Sequence, residues 1–150
     1  MNRETGIEET LYRLAVELIQ KRYPRGWGGA AVLRTEQDHY LTSVALETAN
    51  ASAELCIEVG AMCEAHKLQE RVTHGLCLVR EDEHSPFTVL TPCGICQERY
   101  RFWGEQVRVA VTTPDSSLRF VSWGELQPYH GGAAYPPEEL EHYQPREELL

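Results

Sequence analysis

The sequence predicts a single α/β domain, in which a mixed sheet of about five strands lies between two layers of helices. An opening helix pattern and a hairpin are followed by segments that alternate between strand and helix patterns. Alternation of this kind is typical of a sheet covered by helices on its faces. The 150 residues, of which 42% are hydrophobic, are enough for one domain with a buried core.

The opening segment is predicted to be an amphipathic helix. Its apolar residues recur at helical spacing from Ile7 to Ile19. Thr5 and Glu8 have the spacing of a capping box, so we expect the helix to begin beside them. Pro24 and the glycines that follow it should end the helix.

The rest of the chain divides into shorter segments of strand and helix pattern. The predicted strands are residues 29–34, 40–46, 72–79, 87–90, 107–111 and 118–121, and the predicted helices are residues 53–67 and 94–102. The tail from about residue 130 is rich in Pro, Gly and Glu. We expect it to lie at the periphery of one domain that spans residues 1–150.

Charge and hydropathy exclude several classes of protein. The chain has 14 Lys and Arg against 23 Asp and Glu, whereas a duplex DNA binder needs a basic face. Its apolar runs fall well short of the roughly 20 residues that span a membrane, and its acidic N-terminus does not resemble a signal peptide. With an odd number of cysteines, we expect a cytoplasmic protein without nucleic-acid or membrane partners.

The sharpest local feature is the segment Pro-Cys-Gly-Ile-Cys, which places Cys93 and Cys96 at the start of a predicted helix. Side chains in the first turn of a helix lean toward its N-terminus, so both sulfurs can reach one metal ion. The helix dipole also favours the thiolate form that binds metals. The segment therefore predicts half or more of a tetrahedral zinc site.

Cys56 and Glu58 could complete a catalytic site. Cys56 opens the predicted helix of residues 53–67, and Glu58 follows two residues later. Three protein ligands and one open position for water are typical of catalytic zinc, whereas structural zinc has four protein ligands. Zinc acidifies its bound water, and Glu58 is placed to collect the proton.

Cys56-Ile57-Glu58, followed later by the Pro-Cys-Gly-Ile-Cys segment, resembles the zinc site of the cytidine deaminase superfamily. The three-cysteine form is similar to the small homotetrameric cytidine deaminases and to blasticidin-S deaminase. Glu-Leu-Gln-Pro at residues 125–128 is similar to a run that family members carry near the C-terminus. The resemblance implies a three-layer α/β/α fold and Zn²⁺ as cofactor, with Cys56, Cys93 and Cys96 as its ligands.

The resemblance also implies the reaction. Zinc-bound hydroxide would attack C4 of cytidine or deoxycytidine, Glu58 would shuttle protons, and uridine or deoxyuridine would leave with ammonia. The backbone at Ile57 would face the base carbonyl. The partners implied are a small nucleoside-like substrate and further copies of the chain, most simply in a homotetramer, with a dimer as the alternative.

Two departures from the family pattern bear on these expectations. The family's ribose-binding Asn-x-Glu-Asn-Ala is replaced here by a segment in which Glu47 and Asn50 are the candidate substrate contacts. Another cytosine-like nucleoside, such as blasticidin S, is therefore the alternative substrate. Val59 and Ile95 occupy positions where family members carry Arg, which leaves the helix dipoles to offset the charge of the thiolates.

A non-catalytic, zinc-stabilised protein is the alternative from another class. Cys63, His66, Cys93 and Cys96 could form a closed site with four ligands. Against it, position 63 lies about two helical turns (roughly 10 Å) beyond position 56. A thioredoxin-like redox pair is weaker, because Cys93 does not follow an early βαβ strand.

Overall fold

Six strands form one mixed sheet with helices on both faces, in a computed structural model that describes residues 2–140. In chain order the elements are helix α1 (Arg3–Arg22), strands β1 (Gly28–Thr35) and β2 (Tyr40–Ser43), helix α2 (Val59–Leu68), strands β3 (Val72–Arg80) and β4 (Thr88–Leu90), helix α3 (Gly94–Tyr100), strands β5 (Arg108–Val111) and β6 (Arg119–Ser122), and the short helix α4 (Trp123–Leu126). The predicted α/β class is confirmed, with six strands where about five were expected.

Strand β3 is the centre of the sheet, whose main order is β2-β1-β3-β5-β6. It pairs antiparallel with β1 along its whole length, with Ala31 opposite Cys77. On its other side it pairs parallel with β5 at Gly75 and Val109, and antiparallel with the short β4. The sheet is mixed because β3 and β5 are parallel, whereas its other strand pairs are antiparallel. Helix α3 lies in the connection from β3 to β5 and packs on one face of the sheet, as parallel pairing requires a crossover.

The two faces of the sheet carry separate apolar clusters, because successive side chains of a strand point to opposite faces. On one face, α1 packs against the strands through Ile7, Leu11, Ala15, Ile19, Ala30, Val32, Leu76, Leu78, Val89, Ala110 and Phe120. On the other face, α2 and α3 pack through Leu33, Leu41, Val59, Ala61, Met62, Ala65, Val72, Cys96, Tyr100, Trp103, Val107, Val109 and Trp123. The architecture is therefore the predicted three layers.

Helix α1 begins earlier than the sequence pattern predicts. Asn2 is its N-cap, and the Asn2 side chain accepts a hydrogen bond from the backbone N–H of Glu4 at 3.3 Å. Thr5 and Glu8 lie inside the helix, so the predicted capping box is wrong. Asn is among the strongest N-cap residues, and it lies far enough upstream to start the helix before Thr5.

The second predicted helix is also wrong at its start, because α2 begins only at Val59. Leu46 and Leu55 pair in an isolated antiparallel bridge, with N–H···O distances of 3.2 and 3.1 Å. This bridge closes residues 46–55 into a loop and draws the backbone before Cys56 into extended form. Cys56 therefore precedes α2 instead of opening it.

The tail from residue 130 contains two short 3₁₀ turns, Gly131–Ala134 and Pro137–Leu140. Residues 141–150, the end of the predicted domain, lie outside the described residues. Within residues 2–140, none of the helices has the length and apolar character that crossing a membrane requires.

Candidate zinc and catalytic site

Three cysteine sulfurs converge beside the N-terminal ends of α2 and α3. The Sγ atoms of Cys56, Cys93 and Cys96 all lie within 4.8 Å of one another, and those of Cys56 and Cys93 are 3.4 Å apart. Zn–S bonds of about 2.3 Å in a tetrahedron place sulfurs about 3.8 Å apart. The spacing and the soft thiol donors therefore fit a zinc ion.

Backbone amides at the start of α3 favour the thiolate form of Cys93. Cys93 is the N-cap residue of this helix. Burial raises the pKa of the Cys93 thiol, but the N–H groups of Cys96 and Ile95 and the thiol of Cys56 outweigh burial, so the pKa lies below its usual value. The predicted effect of the helix N-terminus thus applies to this sulfur.

The other two thiols depend on a metal for their ionisation. Burial, followed by the hydrogen bond with Cys93, raises the pKa of Cys56. Burial and the nearby Glu58 carboxylate raise the pKa of Cys96 well above its ordinary range. A dication that coordinates a thiol deprotonates it outright, so these sulfurs are suited to hold metal and not to act as free nucleophiles.

Glu58 is a buried carboxyl next to the three sulfurs. Its side chain is 4% exposed, and its Oε2 accepts from the Cys96 thiol at 3.6 Å. Burial raises the pKa of Glu58 above that of a solvated carboxyl, while its own backbone N–H, the Cys96 thiol and Arg99 act in the opposite direction. A carboxyl whose pKa is raised by burial is better suited to exchange a proton with a reacting group than a solvated one.

The peptide bond between Ile57 and Glu58 is anchored from the sheet. Ser43, at the end of β2, donates a hydrogen bond from its Oγ to the carbonyl oxygen of Ile57 at 2.6 Å. A β-carbon at Gly29 would lie 2.8 Å from Ile57 Cδ1 and 3.0 Å from the Trp27 ring. Ile57 is therefore held between β1, β2 and an aromatic side chain that is 41% exposed.

The predicted substrate contacts lie on the loop that the Leu46–Leu55 bridge closes. Glu47 is exposed on this loop. The side-chain oxygen of Asn50 accepts from the backbone N–H and the hydroxyl of Ser52, at 3.1 and 2.7 Å. The contact of either residue with a substrate stays a prediction.

The structure does not form the closed four-ligand site. In the described part of the chain, the one group of three or more metal-competent side chains consists of the cysteines at 56, 93 and 96. Cys63 lies exposed on α2. The ring of His66 packs instead against Phe102 and Trp103, with centroids 4.5 and 5.3 Å apart. Cys63 and His66 lie toward the C-terminal half of α2, too far from its N-terminal end to reach Cys93 and Cys96.

Sequence reasoning missed Arg99. Its Nη1 donates to the Sγ of Cys96 at 3.6 Å from one turn further along α3. Burial lowers the pKa of Arg99, but the thiols of Cys96 and Cys56 outweigh it and raise the pKa. The expectation that helix dipoles alone face the thiolates is therefore wrong. The signal was the spacing of three residues after Cys96, which puts both side chains on one helix face.

The chain is similar to solved structures of cytidine deaminases. It is 50% identical to the cytidine deaminase from Bacillus anthracis, over 91% of this chain and 98% of that one, with a TM-score of 0.87. The enzyme from Mycobacterium leprae is 19% identical over 80% of this chain and 96% of its own, with a TM-score of 0.62. That from Burkholderia pseudomallei is 21% identical over 86% and 98%, with a TM-score of 0.60.

The two similarities of lower identity support the fold alone. A scan against models of protein families gives no match, and no curated protein sequence matches.

Proposed function

Because this chain belongs to the cytidine deaminase family, we propose that it hydrolyses cytidine or deoxycytidine to uridine or deoxyuridine and ammonia. The observation that carries the proposal is a buried carboxyl, Glu58, beside three convergent thiols. The reaction class is hydrolysis of a C–N bond in a cyclic amidine. Water adds across the C4=N3 bond of the base, with its hydroxyl at C4 and a proton at N3. The C4–N4 bond then breaks, the hydroxyl proton passes to the amino group, and ammonia leaves as C4 becomes a carbonyl.

Zn²⁺ is the proposed cofactor, with Cys56, Cys93 and Cys96 as its ligands. The converging sulfurs support this assignment. Zinc, when bound, supplies an acidified water molecule as the nucleophile and a Lewis acid at the site of attack. Three protein ligands leave one tetrahedral position for that water.

Glu58 is the proposed proton shuttle. Its carboxylate takes a proton from the attacking water and later delivers a proton to the amino group that leaves C4. Burial raises the pKa of Glu58, which lets the carboxyl hold the proton between these two steps. The buried position of its carboxyl, with Oε2 3.6 Å from Cys96 Sγ, keeps the side chain beside the proposed ligands, so the proton moves over a short distance.

Ile57 and its anchor would orient the base. A backbone group of Ile57 faces the base carbonyl in this proposal, and the Ser43 hydroxyl holds the carbonyl of the same residue in place. Water exclusion by the ring of Trp27 and the side chain of Ile57, both beside Gly29, would strengthen these hydrogen bonds.

Glu47 and Asn50 are the proposed contacts to the sugar. Both lie on the loop of residues 46–55, which the Leu46–Leu55 bridge closes immediately before Cys56. Because this segment departs from the ribose-binding pattern that the family usually carries, blasticidin S is the second candidate substrate.

Further copies of the chain are the proposed partners, in a homotetramer or, as the alternative, a dimer. An apolar groove of about 290 Å³ runs between α2 and α3, lined by Val59, Met62, Cys63, His66, Arg99, Phe102 and Trp103. Ile95, between the two cysteines of α3, is 61% exposed. Burial of these surfaces by a second copy would be favourable, and sedimentation would measure the stoichiometry.

A reducing compartment such as the cytoplasm is the proposed location. The five cysteines are all free thiols, and three of them are the proposed metal ligands. The sulfurs of Cys56 and Cys93 are 3.4 Å apart, so an oxidising environment would favour a disulfide between them, and a disulfide cannot bind the metal as two thiolates do.

The test is the Glu58→Gln variant. We expect it to retain one zinc per chain and to lose ammonia release from cytidine by about 10²- to 10⁴-fold, the usual contribution of a general acid–base group. Glu64→Gln, on the helix that begins directly after Glu58 and paired only loosely with Lys67 at 3.9 Å, is the control and should keep both properties. A Glu58→Gln enzyme of unchanged rate would refute the proposed role.

The wild-type enzyme should be assayed for ammonia release from cytidine, deoxycytidine, blasticidin S, free bases and amino-pterins. Turnover of the first two compounds is expected. Release from blasticidin S alone would replace the proposed substrate and keep the reaction class, and a zinc-loaded protein inert toward all of them would contradict the proposed function.

A further inference from the structure

We infer that Arg99 is a positioning residue of the zinc site, which offsets the charge of the thiolates through its contact with Cys96. The inference rests on the proposed zinc-dependent function and adds one residue to it. Nη1 of Arg99 donates to Cys96 Sγ at 3.6 Å, and both side chains come from the same face of α3.

The charge of the site requires such a group. Three thiolates around one dication leave a net charge of −1, and the Glu58 carboxyl beside them adds to that charge whenever it is ionised. Cys96 is 0% exposed, so water does not solvate its sulfur. A buried anion without a compensating donor is costly, and a guanidinium that donates to it provides both charge and a hydrogen bond.

The positions where the family resemblance places an arginine do not provide this cation. Val59 is buried in the apolar cluster beneath α2, and Ile95 is apolar and exposed. Arg99 takes the role from a different point, one turn beyond the last ligand. In residues 2–140, no carboxylate lies within 4.0 Å of its guanidinium as an ion-pair partner, so its charge is available to the thiols.

The groove between α2 and α3 places Arg99 beside apolar side chains. Arg99 lines this groove together with Val59, Met62 and Phe102, and it is itself exposed to solvent. A second copy of the chain on this groove would remove water, lower the local dielectric and raise the attraction between the guanidinium and the thiolates.

The consequence is twofold. A donor to a ligating sulfur stabilises its thiolate form and reduces repulsion among the thiolates, which favours metal binding, and it limits the electron density passed to the metal position, which favours the reaction. Outer groups of this kind typically change metal affinity or activity by about 10- to 100-fold. Arg99 acts through Cys96, without contact to the reacting atoms in this proposal.

The test compares Arg99→Gln and Arg99→Lys with Lys67→Gln, which removes an exposed cation at the far end of α2. Three properties are measured on the whole chain: zinc affinity by chelator competition, the thiolate-to-metal charge-transfer bands of the Co²⁺-loaded protein, and kcat and KM. Thermal melting of each variant shows whether it is folded.

We expect Arg99→Gln to weaken zinc binding and lower kcat by about 10- to 100-fold, to shift the Co²⁺ bands, and to leave KM nearly unchanged. Arg99→Lys should recover part of the loss, because a cation returns in a less suitable shape. Lys67→Gln should match wild type. The zinc and Co²⁺ measurements need no substrate, so they stand even if cytidine is not turned over.

Arg99→Gln with wild-type zinc affinity and unchanged Co²⁺ bands would overturn the inference and leave the proposed function intact. Equal losses in the Lys and Gln variants would also overturn it, because they would indicate a requirement for the shape of Arg99 and not for its charge. Should Arg99→Gln fail to fold, Arg99→Lys compared with Arg99→Met at reduced temperature gives the same contrast.

Discussion

The hydroxyl group of Tyr100 lies directly over the α-carbon of Gly75. A β-carbon at position 75 would be 2.1 Å from Tyr100 Oη and 2.6 Å from Cζ. Helix α3 therefore approaches the central strand at a point where that strand has no side chain. Because Cys96 is on the same helix, one turn before Tyr100, this close approach also sets how deep the proposed zinc ligand lies.

Gly75→Ala should destabilise the protein by about 3 kcal/mol or more, at the upper end of the usual cost of overpacking. Tyr100→Phe alone should be neutral or stabilising by about 1 kcal/mol, because Tyr100 Oη is buried and, in the described part of the chain, has no hydrogen-bond partner. The double variant should recover part of the loss. Urea unfolding measures all three, and a Gly75→Ala midpoint equal to wild type would contradict the packing.

Cys96→Ser should lose most of its zinc, because a hydroxyl is a poor substitute for a buried thiolate ligand. Cys63→Ser is the matched control, since Cys63 is an exposed thiol on α2 and belonged to the closed site that the structure does not form. It should bind zinc like wild type. Metal content after gel filtration gives the comparison, and zinc loss in Cys63→Ser would restore the closed site.

Ser43→Ala should lower kcat/KM for cytidine by about fivefold with zinc retained, which corresponds to roughly 1 kcal/mol for one lost hydrogen bond. The variant frees the carbonyl of Ile57, whose peptide bond is the proposed contact to the base. Thr42→Ala, an exposed neighbour on the opposite face of β2, should be silent. Equal effects of the two variants would refute a specific role of Ser43.

Stability should fall as the pH is lowered through about 6.5, because of His74. His74 is buried, with Nε2 2.7 Å from Glu4 Oε1 and Nδ1 2.9 Å from Thr73 Oγ1. Burial lowers the pKa of His74, outweighing the carboxylate of Glu4, while Arg34 and Arg108 act in the same direction as burial. The His74 side chain therefore binds a proton at a higher pH in the unfolded chain than in the folded chain. The free energy of unfolding consequently rises with pH in the range just below 6.5, the ordinary pKa of histidine.

His74→Gln should remove that part of the pH dependence, measured as the urea midpoint between pH 7.5 and 5.5. The hydrogen bond from His74 lowers the pKa of Glu4, so the contribution of Glu4 is present at neutral pH. It is lost only as the pH falls below 4.5, the ordinary pKa of a glutamate side chain, which lies outside the pH range tested. His84→Gln, on an exposed loop, is the control. An unchanged pH slope in His74→Gln would show that other groups are responsible.

Local sequence was sufficient for the order of the elements and for the chemistry of the ligands. Strand and helix patterns depend on spacing along the chain, which is why the hairpin, the third strand and α3 appear close to their predicted bounds. Cys93 and Cys96 are three residues apart on one helix, so their convergence is a local property. Where a competing contact was distant, as between Leu46 and Leu55, the local pattern placed the start of α2 wrongly.

The sequence by itself determined the fold class, the family resemblance and the three cysteines proposed as ligands, because motif spacing and hydrophobic periodicity are properties of short segments. Only the tertiary structure decided that Arg99 faces Cys96, that Ser43 anchors Ile57, and that Tyr100 rests on Gly75. These contacts depend on side-chain direction and on how far apart helices and strands lie after packing. Neither quantity is fixed until the whole sheet and both helix layers have assembled.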